Sequence, residues 1–291
     1  MRHEIRLPEI CTLAMTLGFL LLTGMFLMNP ANDQPPARGP ASPLENEAVF
    51  PVTKTDLDTD PGLGQEIDLT LVPEDYSITE GGSYILTGEY SGQITVDAEE
   101  QIVHLFLKDV RIHSRSGPAI LVASAGKVII TLADGTDNAI EDSAHYRDSD
   151  HQDASIYSSC DLTLNGSGSL SLYGYYNDAI HSRDMVKILG GNIFIQSFGH
   201  GIQGNDGILI NGDSLRIESK KSGLRTTKAG NDHRGTIDLC GGRIAIIAGE
   251  YAIASSGDLY VRSCTVTTDS VMGQMDVAGS RFLTEGCLED E

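Results

Sequence analysis

Tyr157, His181, Gln203 and Arg225 each directly follow a repeated apolar residue, Ile156, Ile180, Ile202 or Leu224. If those apolar residues point inward on strands, the four polar groups form one outward column. Strand spacing of about 4.8 Å spreads them over roughly 15 Å, about three sugar units. Hydrogen-bonding side chains with one ring suit a hydroxyl-rich ligand; an ordinary solvated sheet face is the other reading. The chain has no Trp, so Tyr173, Tyr175 and Tyr176 are the candidates for stacking on a sugar.

A second series is acidic. Asp161, Asp184, Asp206 and Asp258 follow the same apolar positions by four or five residues. Carboxylates aligned along an edge repel one another and favour a hard cation such as Ca²⁺. Asp also suits turns, where it bonds nearby backbone N–H groups. Asp148, Asp150 and Asp153 lie in an acid-rich stretch with Asp134, Asp137, Glu141 and Asp142, without EF-hand spacing. They are read either as calcium ligands or as a solvated loop.

For catalysis, Arg225 and Lys228 could supply the base of a calcium-dependent, pectate-type elimination. Paired carboxylates carry no information in a chain with 41 Asp and Glu. No nucleophile elbow, zinc motif or phosphate loop is present. The formal net charge of −21 argues against nucleic acid and anionic lipid as partners.

These side chains need elements to hold them. The apolar residues Ile120, Ile156, Ile180, Ile202, Leu224 and Ile253 each follow a small residue, at intervals of 36, 24, 22, 22 and 29. A second set follows each: Val128/Ile130, Leu162/Leu164, Val186/Ile188, Ile208/Ile210, Ile237/Leu239 and Leu259/Val261. A third comes after a Gly- or Asn-rich corner: Leu170/Leu172, Ile193/Ile195, Leu215/Ile217, Ile244/Ile246 and Val266. Three short strands per repeat, each exposing one apolar face, predict stacking with neighbours. The expected fold is all-β: a right-handed single-stranded parallel β-helix with three strands per coil. The longer intervals place insertions at about 134–153 and 226–235. Residues 76–96 are expected to cap the N-terminal end. The segment 273–291 lacks the pattern and is expected to cover the other end or to have no fixed fold.

Residues 1–28 carry Arg2, His3 and Arg6 before an uncharged run from Ile10 to Met28. They are expected to be a signal peptide or an N-terminal membrane anchor, placing the protein outside the cell or at its surface. Membrane contact is expected only through this segment. Residues 29–65 hold seven of the ten prolines and read as a Pro-rich acidic linker. The folded domain is then 66–291. Nothing in the sequence fixes an oligomeric state. Cys240 and Cys264 fall at the same corner of successive repeats, within expected disulfide reach.

The segments 116–120 (SGPAI), 128–136 (VIITLADGT), 161–170 (DLTLNGSGSL) and 177–184 (NDAIHSRD) resemble, in this order, the bacterial carbohydrate-binding domain-containing β-helix family. The resemblance covers about residues 66–270. It implies an exported, pectate-lyase-like fold that binds cellulosic and acidic plant polysaccharides with calcium. It points to binding rather than catalysis.

Overall fold

The computed structural model describes residues 49–146 and 152–290. Among these residues the chain is all-β apart from the short helix Lys54–Leu57 and a single 3₁₀ turn, Leu69–Leu71. The strands form one sheet of 15 and one of nine, and every pairing is parallel between strands distant in sequence. No described helix is long and apolar enough to cross a membrane. Residues 1–28, the expected export segment, lie outside the described residues.

The apolar repeat reads out in register. Ile94, Ile120, Ile156, Ile180, Ile202, Leu224, Ile253 and Met275 are successive partners in the nine-stranded sheet. Val128, Leu162, Val186, Ile208, Ile237 and Leu259 do the same in the larger sheet. These inward residues merge into one core cluster running the length of the molecule. The small residue before each first-set apolar residue has a packing cause. A Cβ on Gly201 or Gly223 would lie 2.4 Å or 2.2 Å from the Cγ2 of Ile217 or Ile246.

The expected fold of a β-helix with three separate strands per coil is corrected by the pairing order. Eight parallel strands close into a ring: Met185–Ile188, Leu162–Gly166, Lys127–Leu132, Ile102–His113, Asp137–Glu141, Ser169–Gly174, Asn192–Ser197 and Gly207–Ser219, which returns to Met185–Ile188. The nine-stranded sheet stands beside it. The cause lies at the corners expected to end strands. Asn211, Gly212 and Asp213 sit inside the continuous strand Gly207–Ser219, and Gly241 and Gly242 inside Thr236–Ala248. The ladder shifts register there without breaking, and Gly242 takes φ +80° to make the bend. One strand therefore pairs with two different neighbours along its length.

Three boundaries also differ. Residues 76–96 contribute ordinary paired strands, Asp75–Ile78, Gly82–Tyr90 and Gln93–Asp97, instead of a cover. Within the first expected insertion, Asp137–Glu141 is a strand with Ile140 in the core. At the C-terminal end, Gly273–Val277, Arg281–Leu283 and Leu288–Asp290 continue the ladders.

Part of the proline tract is also packed against the larger sheet. Phe50 is buried with Leu189 and Leu209. Thr53 and Asp56 form a capping box at the first turn of the helix Lys54–Leu57. The Asp56 carboxylate is fully buried and accepts from Lys127 Nζ (2.8 Å), Lys187 Nζ (3.1 Å) and Thr163 Oγ1 (2.8 Å). Burial alone would raise this carboxyl. The hydrogen bonds from Lys127, Thr53 and Thr163 outweigh it and hold Asp56 well below the usual carboxylate range.

Candidate glycan-binding site

The outward column forms as expected. Tyr157, His181, Gln203, Arg225 and Ala254 are in-register partners on consecutive strands of the nine-stranded sheet. Its members differ in access. Tyr157 is only 6% exposed, clustered with Leu121 and Ala154. Its ring meets that of His181 edge-on at 5.3 Å, so it braces the column more than it offers a face.

His181 is the centre of the polar network. Its Nδ1 lies 3.0 Å from Asp153 Oδ1, and its Nε2 lies 2.9 Å from Gln203 Nε2. An amide nitrogen only donates, so His181 Nε2 accepts and the ring proton sits on Nδ1, facing Asp153. The second Gln203 proton goes to Asn205 Oδ1 at 3.2 Å, which Thr227 also donates to at 2.7 Å. Arg225 Nη1 lies 2.6 Å from Nε2 of the buried His200. Burial, then the charges of Arg225 and Lys221, pushes His200 down to about 3, so it stays neutral.

Beside this column lie two carboxylates, Asp178 buried and Asp153 half-buried. Ligand atoms of Asp153, Asp178 and His181 all fall within 4.8 Å of one another, the one such group of three among the described residues. Asp178 is 1% exposed and accepts the His200 backbone N–H at 2.7 Å. Burial pushes its carboxyl up to about 7, with Asp153 adding to the rise. Asp153 is itself raised by burial, but the hydrogen bonds from His181 and Asn177 prevail and hold it low. Asn177 donates to Asp153 Oδ2 at 2.8 Å and accepts from Lys221 Nζ at 3.0 Å. A Cβ on Gly199 would lie 2.3 Å from Asp178 Oδ1 and 2.4 Å from Asn177 Oδ1, so only glycine lets these groups sit there.

The tyrosines gather at the corner leading into this pair. Tyr173 stacks near-parallel on Tyr175 at 5.8 Å and meets Phe194 edge-on at 6.2 Å. Tyr176 stacks on Tyr146 at 4.1 Å. Tyr175 and Tyr176 are each 37% exposed, and Phe198 42%. Asp142 holds the corner from beneath: it is fully buried, accepts from Tyr146 Oη at 2.7 Å and from the Tyr175 N–H at 2.6 Å. Burial pushes Asp142 up to about 6.

The stacked acids are engaged otherwise. Asp161 Oδ1 accepts the Met185 N–H at 3.3 Å, and Asp258 Oδ1 the Ser280 N–H at 2.7 Å, both in the next strand's turn. Lys228 Nζ sits 2.7 Å from Asp206 and 3.7 Å from Asp184. Lys228 also donates to the Arg183 carbonyl at 2.9 Å, which occupies the group considered as a catalytic base. Asp148 and Asp150 lie outside the described residues. Cys160, Cys240, Cys264 and Cys287 are free thiols.

Tyr146, Phe194, Phe198, Asp142, Asp178 and His200 are part of this arrangement and were not legible as site residues. The one available signal is the run from Tyr173 to Asp178, where aromatic, amide and carboxylate groups adjoin at a single corner.

A parallel all-β scaffold carrying a polar column, an aromatic corner and a carboxylate pair defines a class of surface suited to sugars. Comparison with known proteins leads to the same class. Residues 73–284 match the carbohydrate-binding domain-containing protein family. A carbohydrate-binding domain-containing protein of Acetivibrio thermocellus is 30% identical over 226 residues, covering 76% of this chain and 79% of the relative. The solved structure described as the polysaccharide lyase-like protein from C. thermocellum, in a gadolinium derivative, matches with a TM-score of 0.73 and 30% identity. That match covers 78% of this chain and 98% of the other. The chain belongs to the carbohydrate-binding domain-containing protein family.

Proposed function

We propose that this domain binds polysaccharide without cleaving it, along the column His181, Gln203, Arg225 and onto the corner formed by Tyr173, Tyr175 and Tyr176. The observation that carries this reading is the adjacency of the two features. Tyr176 precedes Asn177 and Asp178, and its stacking partner Tyr146 has its hydroxyl 3.0 Å from the Ala154 carbonyl, next to Asp153. Rings that stack on sugar faces thus border amides and an imidazole that bond hydroxyls.

The binding is calcium-assisted in this reading, and the glycan is cellulosic or acidic, of polygalacturonate type. Asp153 and Asp178 would hold the ion, with the Asn177 amide oxygen as a further hard donor. Two neighbouring carboxylates, one half-buried and one buried and pushed up by that burial, fit a divalent cation that relieves their repulsion. The ion would bridge this acidic surface to a carboxylate of the glycan. Of the candidate acids, Asp153 is then the ligand, while Asp161 and Asp258 bond backbone N–H groups and Asp184 and Asp206 face Lys228. The protein would act outside the cell or at its surface, delivered by residues 1–28.

The test is retention of the full chain on polygalacturonate and on cellulose, each with calcium and with chelator. Calcium-dependent retention with the polymer left intact is the expected result. No retention on either polymer removes the proposal, and an unsaturated uronide product would convert the binder into a lyase.

A further inference from the structure

We propose that Cys264 and Cys287 form a disulfide that ties the last strand of the larger sheet to its neighbour. The spacing argument pairs Cys264 with Cys240, but strand alternation separates those two. Leu239 points into the core, so Cys240 points out, where it packs with Val49 and Val52 around Phe50, Leu189 and Leu209. Cys264 and Cys287 are instead both members of the main core cluster and both buried.

Their strands are adjacent. Val266 pairs with Leu288, and the Val266 N–H donates to the Cys287 carbonyl at 2.7 Å. Cys264 Sγ lies 3.4 Å from the Leu239 carbonyl. Neighbouring parallel strands run about 4.8 Å apart, inside the Cα range a disulfide spans.

The location gives the bond a purpose. Leu288–Asp290 pairs with one strand only, Thr265–Ser270. The inward position Leu283 in the same end row is left 45% exposed. A link at residue 287 fixes this half-covered end to the core. The oxidant is a small-molecule disulfide such as oxidised glutathione. One cysteine thiolate attacks its S–S bond and releases one glutathione thiol. The second cysteine then attacks the mixed disulfide and releases the other. Two protein thiols become one S–S bond as the oxidant is reduced to two thiols.

The experiment treats the full chain with oxidised glutathione, alkylates the remaining thiols after denaturation, and maps peptides without reduction. The expected product joins residues 264 and 287, leaves Cys11, Cys160 and Cys240 alkylated, and survives in Cys240→Ser. Cys287→Ser should abolish it. The linked protein should melt about 5 °C or more above the reduced form. A bond between residues 240 and 264, or all five cysteines alkylated after oxidation, overturns the proposal. A correct link with no change in melting overturns the stapling role. Because wild-type mapping alone decides the pairing, a variant that fails to fold does not blunt the test.

Discussion

Asp56 and Asp178 are both buried carboxylates at the edge of the core, yet their surroundings are opposite. Asp56 is met by two lysines, two threonine hydroxyls and a backbone N–H. Asp178 has a backbone N–H, a second carboxylate close by and, within ligand distance, a histidine already bonded to that carboxylate. Protein groups complete the first centre and hold its carboxyl low. At the second, burial outweighs the single backbone hydrogen bond, and the carboxyl rises to about 7. A buried charge fully answered by its own chain is structural; one left short of partners is where a ligand is expected.

The largest effect expected from this contrast is on stability. Asp56→Ala removes the partner of Lys187, whose side chain is 6% exposed. Breaking a buried pair from one side costs about 3–5 kcal/mol, and urea denaturation should show the unfolding free energy lowered by that amount. The pH dependence has a definite sign. The folded pKa of Asp56 lies below its unfolded value of about 3.9. Its contribution is therefore present above about pH 4 and is lost as pH falls through the folded value. The same series on Asp56→Ala should show a shallower acid loss; an unchanged slope would break the assignment.

Asp178→Asn is the matching change at the other centre, and the two hubs should part company here. The isosteric amide keeps the acceptor for the His200 N–H and removes a charge that burial already opposes, so stability at neutral pH should shift by about 1 kcal/mol or less. Calcium-dependent retention on polygalacturonate should fall by about tenfold or more. A variant that unfolds, or one that binds calcium and glycan unchanged, would erase the distinction between the two centres.

This contrast also marks how far sequence could be read. The inward rows were legible because alternation with a period of two leaves few other places for Ile, Leu and Val between polar neighbours. The column Tyr157, His181, Gln203 and Arg225 was legible for the same reason, being locked to those rows. The closing of eight strands into a ring was not, because Gly and Asn at a corner can either end a strand or bend it. The packed strap at residues 49–58 was hidden by its prolines, whose composition reads as linker although Phe50 and Asp56 are buried. Asp142 and Asp178 were hidden by abundance: among so many acids, only burial and partners single them out.

Beside Asp178 runs the surface that the glycan reading needs, and its parts should matter in graded fashion. Tyr176→Ala removes a ring that stacks on Tyr146 with its outer side open. Retention should weaken by roughly 0.5–1.5 kcal/mol, two- to tenfold, with melting little changed.

Gln203→Leu tests the column itself. Its amide supplies the donor to His181 Nε2, and through that ring fixes the proton on Nδ1 toward Asp153. Without that donor His181 keeps its Asp153 bond and gains a free acceptor, so the carboxylate pair is barely disturbed. Gln203 is also half-buried, which limits its direct contact with a sugar. The loss should be that of a single neutral hydrogen bond, about 0.5–1.5 kcal/mol, at the lower end of the range for Tyr176. It should be the same with calcium and with chelator. A loss confined to the calcium condition would mean that His181 orientation controls the ion, and would join the column and the Asp153–Asp178 pair into a single site.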